Sequence, residues 1–233
     1  MAYKLRIKFS KYAHMIFIGH LDLMRYFQKA IRRAKIDISY SAGFSPHQII
    51  SFAQPLGVGV YSGGEYMDIS VESLTDSAQL QEALQAQMAE GVDILSVRLL
   101  PEKAENAMAS ITAASYSVSF REGREPAFDL GDAVERFMAQ DVIEIEKVTK
   151  KGSRMVDLKE HIYRMEAGDG SVTMLVDASS GGNIKPALVM EQFYGFAGGA
   201  LGEFDLIIKR EDMFTGSADS GGYRSLGEVG SIY

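Results

Sequence analysis

The sequence of 233 residues contains no cysteine. This absence excludes disulfide bonds, a thiolate nucleophile, a cysteine-bound zinc ion and an iron–sulfur cluster held by the chain itself. Long apolar runs are also missing. The first thirty residues lack the hydrophobic core of a signal peptide, and no segment reaches the roughly 18 consecutive apolar residues of a membrane-spanning helix. We therefore expect a soluble cytoplasmic protein that does not act at a membrane.

Basic residues are fewer than acidic residues, but they are concentrated in one part of the chain. The totals are 24 Lys and Arg against 31 Asp and Glu, which gives a formal net charge of −7. The first 50 residues hold nine basic and two acidic side chains, so this segment carries +7 and the rest of the chain carries −14. Such an asymmetry favours a polyanionic partner for the N-terminal segment.

Hydrophobic periodicity predicts the order strand, helix, strand, strand, helix, strand for residues 1–101. Residues 3–9 alternate apolar and basic, which is typical of a strand with one buried face and one solvated face, the latter carrying Arg6 and Lys8. Apolar residues then recur at helical spacing over residues 21–35. The later predicted elements are two short strands around a loop at residues 43–46, a strand at 66–71, an acidic helix capped by Thr75 or Asp76, and a strand at 92–100.

The second half of the chain predicts the same order of elements. Asp129 is the expected N-cap of one helix, and Pro186 stands at the favoured first position of another. The predicted strands lie at residues 114–120, 142–148, 156–165, 172–177 and 204–209. The predicted fold is therefore α+β, with two tandem ferredoxin-like (βαββαβ) units that have antiparallel sheets. We expect units at 1–101 and 114–214, a linker at 102–113, and a disordered Gly-, Ser- and Asp-rich tail at 215–233.

The exposed side of the first predicted helix carries a stripe of positive charge. Its members are Arg25, Lys29, Arg32 and Arg33, at positions i, i+4, i+7 and i+8. Together with Arg6 and Lys8 of the first strand, they could contact several phosphates of a nucleic acid. Four interleaved tyrosines could stack on unpaired bases: Tyr3, Tyr12, Tyr26 and Tyr40. The structural alternative is a helix face and a strand face that need these cations only for solubility.

Histidines and glycines supply further candidates. A metal-independent ribonuclease needs a base near a 2′-hydroxyl and a cation near the phosphorane, so His20 and His47 are candidate catalytic residues. His20 fits equally well as part of the first turn of a helix. The turn at residues 43–46 would hold Phe44 and His47 in a set direction, or place Phe44 in the core. The glycine-rich loop at residues 195–202 could cradle phosphate, although it matches neither a P-loop nor a dinucleotide fingerprint. No metal-ligand set is present, and no cofactor is expected.

Several motifs in residues 3–72 carry a family resemblance. They are KLRIKF at 4–9, GHLDLMR at 19–25, AIRRA at 30–34, YSAGFSPH at 40–47, ISFA at 50–53 and PLGVG at 55–59. These motifs resemble a bacterial domain family of unknown function, the radical SAM-linked proteins, whose members are fused behind a radical SAM enzyme or occur as separate chains. Because this chain has no cysteine, the resemblance implies a radical SAM partner in trans. The layout is also similar to that of RAMP proteins, which bind and cut CRISPR repeat RNA.

These observations together predict a noncatalytic RNA-binding accessory protein that presents RNA, such as transfer or ribosomal RNA, to a radical SAM enzyme. The predicted contacts with phosphate are Arg6, Lys8, Arg25, Lys29, Arg32 and Arg33, with His20, Phe44 and His47 lining the loop side of the site. Two alternatives remain open. One is a metal-independent endoribonuclease of RAMP type that uses His20 or His47, and the other is a protein-interaction module that does not bind RNA.

Overall fold

The computed structural model describes residues 2–149 and 152–233 of an α+β protein. The chain forms two compact units: the first comprises Met1–Ile111 and Asp212–Tyr233, and the second comprises Thr112–Glu211. Within the described residues there are five α-helices, and the β-strands pair with antiparallel neighbours. None of the helices in this part of the chain has both the length and the apolar character needed to cross a bilayer.

The first unit contains the predicted order of strands and helices. Its N-terminal elements are β1 (Tyr3–Lys11), α1 (His20–Arg33), β2 (Ile50–Phe52), β3 (Tyr61–Val71), α2 (Ser77–Gln85), β4 (Ile94–Leu99) and α3 (Ala107–Ser110). In the sheet β1 lies between β4 and β3, and β2 pairs with the other edge of β3. Of the two predicted caps of α2, Asp76 is the N-cap, and its carboxylate accepts the N–H groups of Ala78 and Gln79.

Helix α1 packs on the sheet through one apolar stripe. Leu23, Phe27, Ala30 and Ile31 are buried against a core that includes alternate residues of β1. Asp22 in the first turn and two arginines in the last turn complement the helix dipole. Burial of a side chain such as Phe27 contributes about 1.5–3 kcal/mol. The apolar stripe therefore fixes which side of α1 faces the solvent.

The second face of β1 is covered, which differs from the solvated face predicted above. Arg6 is 2% exposed and Lys8 is partly buried. The backbone carbonyl of Glu105, just before α3, accepts a hydrogen bond from Arg6, and Gly227 of the C-terminal segment lies against Lys8. Alternation in the sequence shows that a strand has two kinds of face, but it does not show whether distant segments cover the polar one.

The C-terminal segment is ordered, and the prediction of disorder from residue 215 is wrong. Strand β10 (Leu206–Ser217) turns through a short 3-10 helix into β11 (Gly222–Ser225), and the two strands pair. Leu226 is fully buried, and Ser231 exchanges backbone hydrogen bonds with Leu99 of β4. The turns need Gly and Ser, so the composition resembles that of a disordered tail although one leucine anchors the segment. Residues 212–233 therefore belong to the first unit.

The second unit begins before residue 114 and contains an inserted hairpin. Its elements are β5 (Ala113–Phe120), α4 (Leu130–Met138), β6 (Glu144–Thr149), β7 (Gly152–Asp157), β8 (Ile162–Gly168), β9 (Ser171–Asp177), α5 (Pro186–Phe196) and the first part of β10. Asp129 caps α4 and Pro186 opens α5, as predicted. The sheet order is β10-β5-β9-β8, whereas β6 and β7 form a separate two-stranded sheet.

The single strand predicted at residues 156–165 is divided between two sheets. A 3-10 turn at Lys159–His161 separates β7 from β8. Asp157 causes the interruption, because its carboxylate accepts the N–H groups of Ile143 and Lys159 and so ends the strand. The predicted linker at 102–113 is also structured in part, since α3 is capped by Asn106 and Ala107 is buried.

Candidate nucleic-acid interface

Four cations occupy the solvent side of α1, and we call this set the basic face. The basic face consists of Arg25, Lys29, Arg32 and Arg33, all of which are exposed. They stand opposite the buried stripe because the helix repeats every 3.6 residues, and from Arg25 to Arg33 they span about 12 Å along its axis. The structure therefore brings together the four helical cations that the sequence singled out.

Few carboxylates neutralise the basic face. Arg25 pairs with Asp22 at 3.3 Å, but both side chains are about 70% exposed, so the pair is weak. Arg33 donates to the side-chain and backbone oxygens of Gln87, and Lys29 has no hydrogen-bond or ion-pair partner among the residues described. Most of the positive charge therefore remains available to an external anion.

A hairpin at residues 40–48, hereafter the 40–48 hairpin, is held beside the basic face. Tyr40 and Gln48 form its closing bridge, and Ser41 bonds to His47 through both backbone and side-chain atoms. The buried Gln48 side chain donates to the backbone carbonyl of Gln28 in α1 at 3.3 Å. This bond ties the base of the hairpin to the middle of the helix that carries the cations.

Phe44 stands at the tip of the 40–48 hairpin and is fully exposed. The alternative that placed Phe44 in the core is therefore wrong. Gly43 has φ +112°, a backbone conformation that side-chain-bearing residues rarely adopt and that allows the sharp turn. A phenyl ring held in water beside a cationic helix has the chemistry to stack on an unpaired base.

The strand cations do not join the basic face. The guanidinium of Arg6 bonds both oxygens of Asp68, with Nε 2.8 Å from Oδ1 and Nη2 3.0 Å from Oδ2. The Lys8 ammonium lies 3.3 Å from Asp212 and 5.5 Å from the centre of the Tyr66 ring. Since their charges are satisfied inside the unit, the expected phosphate contacts at Arg6 and Lys8 are not supported by the structure.

Two of the four predicted stacking tyrosines have structural partners. The hydroxyl of Tyr26 accepts the N–H of Ala89 at 2.6 Å, and that of Tyr12 donates to Asp93 at 3.3 Å. The bond to Asp93 raises the pKa of Tyr12 above its ordinary value. Tyr3 and Tyr40 are more exposed and could still contact a ligand.

The candidate catalytic histidines lie in different settings. The ring of His20, the first residue of α1, packs edge-on against Phe52 with centroids 5.3 Å apart. The Nδ1 atom of His47 lies 2.8 Å from the Ser41 hydroxyl, a bond that closes the 40–48 hairpin. Neither ring has a carboxylate partner in the described part of the chain, and no group of three His, Asp or Glu there could hold a metal ion. Local packing is sufficient to explain both positions.

The glycine-rich loop at residues 195–202 uses several of its amides internally. Gly198 and Gly199 donate to backbone carbonyls at the end of α5, and Gly202 donates to the carboxylate of Asp205 at 2.6 Å. Asp205 also pairs with Arg124 at 3.5 Å, and burial together with this carboxylate raises the pKa of Tyr194 to about 12. Since the amides of Gly198, Gly199 and Gly202 already have acceptors within the protein, the expected phosphate cradle is not supported here.

The structure also has an exposed apolar patch next to the basic face, and the sequence did not predict it. Phe17, Leu21 and Val58 are each more than 60% exposed, and the N–H of Gly59 donates to the carbonyl of Ile16 at 2.9 Å. This bond holds the loop that carries Val58 close to Phe17. The sequence signal for the patch was weak, because Leu21 is simply a leucine that does not fit the buried helical stripe.

Residues 4–186 match the model of a family described as "Uncharacterized protein conserved in bacteria (DUF2344)". A comparison with curated proteins gave no match. Among solved structures, the chain is similar to the crystal structure of an unknown protein from Galdieria sulphuraria. The two share 12% sequence identity and a TM-score of 0.28, with 91% of this chain and 98% of that chain covered. At this TM-score the similarity supports no argument about fold or function.

Proposed function

The chain belongs to the bacterial family DUF2344, and we propose that it is a noncatalytic RNA-binding accessory protein that works with a radical SAM enzyme. The observation that carries the proposal is the basic face of α1 with the 40–48 hairpin fixed beside it. The proposal concerns Arg25, Lys29, Arg32 and Arg33 as phosphate contacts, with Phe44 and His47 at the side. It leaves out Arg6 and Lys8, which are engaged inside the unit.

The expected ligand is an RNA with unpaired nucleotides. Arg25 and Arg32 are two turns apart on α1, about 10 Å along the axis, so they suit neighbouring phosphates of one strand. Duplex RNA hides its bases in the stack, whereas loops of transfer or ribosomal RNA offer bases on which Phe44 can stack. Because the proposed site offers both the basic face and the exposed ring of Phe44, we expect it to bind single-stranded loops more tightly than a continuous duplex.

Fluorescence anisotropy with labelled RNA loops tests this proposal. The four proposed phosphate contacts should give a slope of about −3 when the logarithm of the binding constant is plotted against that of the salt concentration. The triple variant Arg25→Glu, Lys29→Glu, Arg32→Glu should abolish binding. A matched control reverses three comparably exposed arginines of the second unit, at Arg124, Arg136 and Arg164.

Equal losses in both triple variants would mean that net charge, and not the basic face, governs binding. Normal binding by the α1 triple variant would refute the proposal. RNA cleavage in the presence of chelator that disappears in His20→Ala or His47→Ala would instead support the endoribonuclease alternative. The packing of His20 against Phe52 supports the proposal that the protein is noncatalytic.

The radical SAM partner is proposed from the sequence motifs of the first unit and from the absence of cysteine. Any iron–sulfur chemistry has to come from another protein, and a cytoplasmic location is part of the same proposal. Affinity purification of the full chain from its native cells under anaerobic conditions should recover an iron–sulfur protein. Recovery of RNA without such a protein would remove the partner from the proposal and leave RNA binding in place.

We also propose that each unit is ferredoxin-like, which would relate the architecture to RAMP proteins. The support in the first unit is the order β4-β1-β3-β2 with antiparallel pairs. The support in the second unit is the order β10-β5-β9-β8, once the β6–β7 hairpin is set aside as an insertion. Both orders correspond to 4-1-3-2 for a βαββαβ unit.

A protein-interaction surface is the second candidate function, because the apolar patch of Phe17, Leu21 and Val58 is exposed. Contiguous exposed apolar side chains mark binding surfaces more often than isolated ones do. Substituting all three residues with Ser should leave RNA binding unchanged and remove co-purifying protein if the patch binds a partner. Loss of RNA binding in the same variant would assign the patch to the RNA surface.

A further inference from the structure

His161, the fourth histidine, forms a pair with a carboxylate in the second unit, outside the basic face. Its Nδ1 atom is 2.9 Å from Oδ2 of Asp177. His161 ends the 3-10 turn before β8 and Asp177 ends β9, so the pair closes one end of these antiparallel strands. The side chains of His161 and Asp177 are 24% and 11% exposed, which leaves the imidazole within reach of a ligand.

Asp177 fixes the orientation of the imidazole. Its Oδ1 atom accepts the N–H of Ser179 at 2.8 Å, while Oδ2 faces the histidine. Burial acts to raise the pKa of Asp177, but hydrogen bonds from Ser179 and His161 outweigh burial and lower the pKa below its ordinary value. An ionised carboxylate at Nδ1 leaves Nε2 as the ring nitrogen for an external group. Nε2 has no partner among the residues that the structure describes.

A glycine locks the following loop onto this pair. At Gly182, which is buried, a Cβ atom would lie 1.9 Å from Oδ2 of Asp177 and 3.0 Å from Cε1 of His161. Ser179 holds the bend, since its hydroxyl accepts the N–H of Gly182 and its carbonyl accepts that of Asn183. Only a residue without a side chain fits at position 182, so the loop backbone is pressed against the histidine pair.

At the apex of the bend, two consecutive backbone N–H groups are left without an acceptor in the described part of the chain. Ser180 and Gly181 are exposed, and their N–H groups have no acceptor within residues 2–149 and 152–233. Lys185, also exposed, follows the bend immediately before α5. Consecutive free amides form small anion-binding concavities in proteins. Both oxygens of Asp177 already have hydrogen-bond partners, Oδ1 the backbone N–H of Ser179 and Oδ2 the imidazole of His161.

We propose that Nε2 of His161 and the N–H groups of Ser180 and Gly181 form a binding site for a phosphate group. An imidazole that carries hydrogen on both nitrogens would donate one hydrogen bond through Nδ1 to Asp177 and one through Nε2 to a phosphate oxygen, with no proton transferred. Charge-assisted hydrogen bonds of this kind are stronger than neutral ones. The site is separate in sequence and in unit from the basic face, so it does not depend on RNA binding by α1.

NMR titration of the full chain at constant pH tests the site with three probes: inorganic phosphate, uridine 5′-monophosphate and a short single-stranded RNA. The ring nitrogens of His161 and the amide signals of Ser180 and Gly181 should shift saturably. His14, an exposed histidine with no carboxylate partner in the described part of the chain, is the internal control and should not respond. Tighter binding of the nucleotide identifies a phosphomonoester ligand, and tighter binding of RNA identifies a phosphodiester.

Two variants distinguish a binding site from a structural pair. His161→Gln should weaken phosphate binding by at least about tenfold, because it removes a charge-assisted bond. Asp177→Asn keeps an acceptor for Nδ1 but removes the charge, so binding should also weaken while the amide spectrum stays that of a folded protein. Unshifted His161 signals at saturating probe, or equal affinity in folded His161→Gln, would overturn the proposal. The α1 triple variant should keep full phosphate binding, so the two proposals can fail separately.

Discussion

Replacing Asp68 with alanine should destabilise the first unit strongly, because it would leave the Arg6 guanidinium buried without its carboxylate. Arg6 donates to both oxygens of Asp68, at 2.8 and 3.0 Å, and both side chains are more than nine-tenths buried. Oδ2 of Asp68 also accepts the backbone N–H of Ala107 at 2.7 Å. The substitution therefore removes the acceptor of two buried donor groups at once.

The expected loss is about 3–5 kcal/mol in the free energy of unfolding, which is typical when one partner of a buried ion pair is removed. The orphaned N–H of Ala107 acts in the same direction. This loss is a large part of the 5–15 kcal/mol that stabilises an ordinary domain. Arg25→Ala is the matched control in the same unit, because it removes an exposed ion pair with Asp22 and should change stability by less than about 1 kcal/mol.

Urea unfolding followed by circular dichroism measures both losses, and amide hydrogen exchange in β1 and β3 assigns the transition to the first unit. An Asp68→Ala loss within about 1 kcal/mol of the Arg25→Ala loss would refute the reasoning. The apolar double variant Arg6→Met, Asp68→Leu should recover most of the stability, since well-packed apolar residues replace buried ion pairs at little cost. It should also bind RNA normally, because Arg6 is not a surface contact.

Three further predictions follow from buried contacts. Leu226→Ala should lower the free energy of unfolding by about 2–5 kcal/mol in urea, whereas a disordered tail would show no change. Gly182→Ala should lower it by at least about 1 kcal/mol, because a Cβ there collides with Asp177, while Gly195→Ala has open space and should not. The pKa of Tyr194 is raised to about 12, so this residue's contribution to stability is complete below about pH 10 and is lost as the pH rises towards 12. In spectrophotometric titration, the Tyr194→Phe variant should have one late-ionising phenol fewer than the parent protein, and an identical titration would contradict the assignment.

Much of the secondary structure could be predicted because its signals are local. The apolar spacing of α1, the N-cap at Asp129 and the proline that opens α5 each depend on residues a few positions apart. The prediction of one strand at 156–165 was wrong because the carboxylate of Asp157 ends the first strand there. Asp157 bonds to the N–H of Ile143, 14 residues away, and this contact across the β6–β7 hairpin leaves no periodic pattern in the sequence.

The basic face was predictable for the same local reason, since helical spacing alone puts Arg25, Lys29 and Arg32 on one side. The placement of Phe44 was not predictable. Whether it packs in the core or stands in water depends on where the fold places the 40–48 hairpin, and the bond from Gln48 to Gln28 that ties the hairpin to α1 joins residues 20 positions apart. His161 and Asp177 are 16 residues apart, and only the pairing of β8 with β9 brings them together.

By itself the sequence determined the α+β class, the absence of cysteine chemistry and which side of α1 faces the solvent. Tertiary structure alone decided which cations reach the solvent. Arg6 and Lys8 have the same alternating pattern as exposed strand residues, but Asp68 and Asp212, 62 and more than 200 positions away, meet them inside the first unit. A buried charge is stable only beside its partner, and the fold, not the local pattern, supplies that partner.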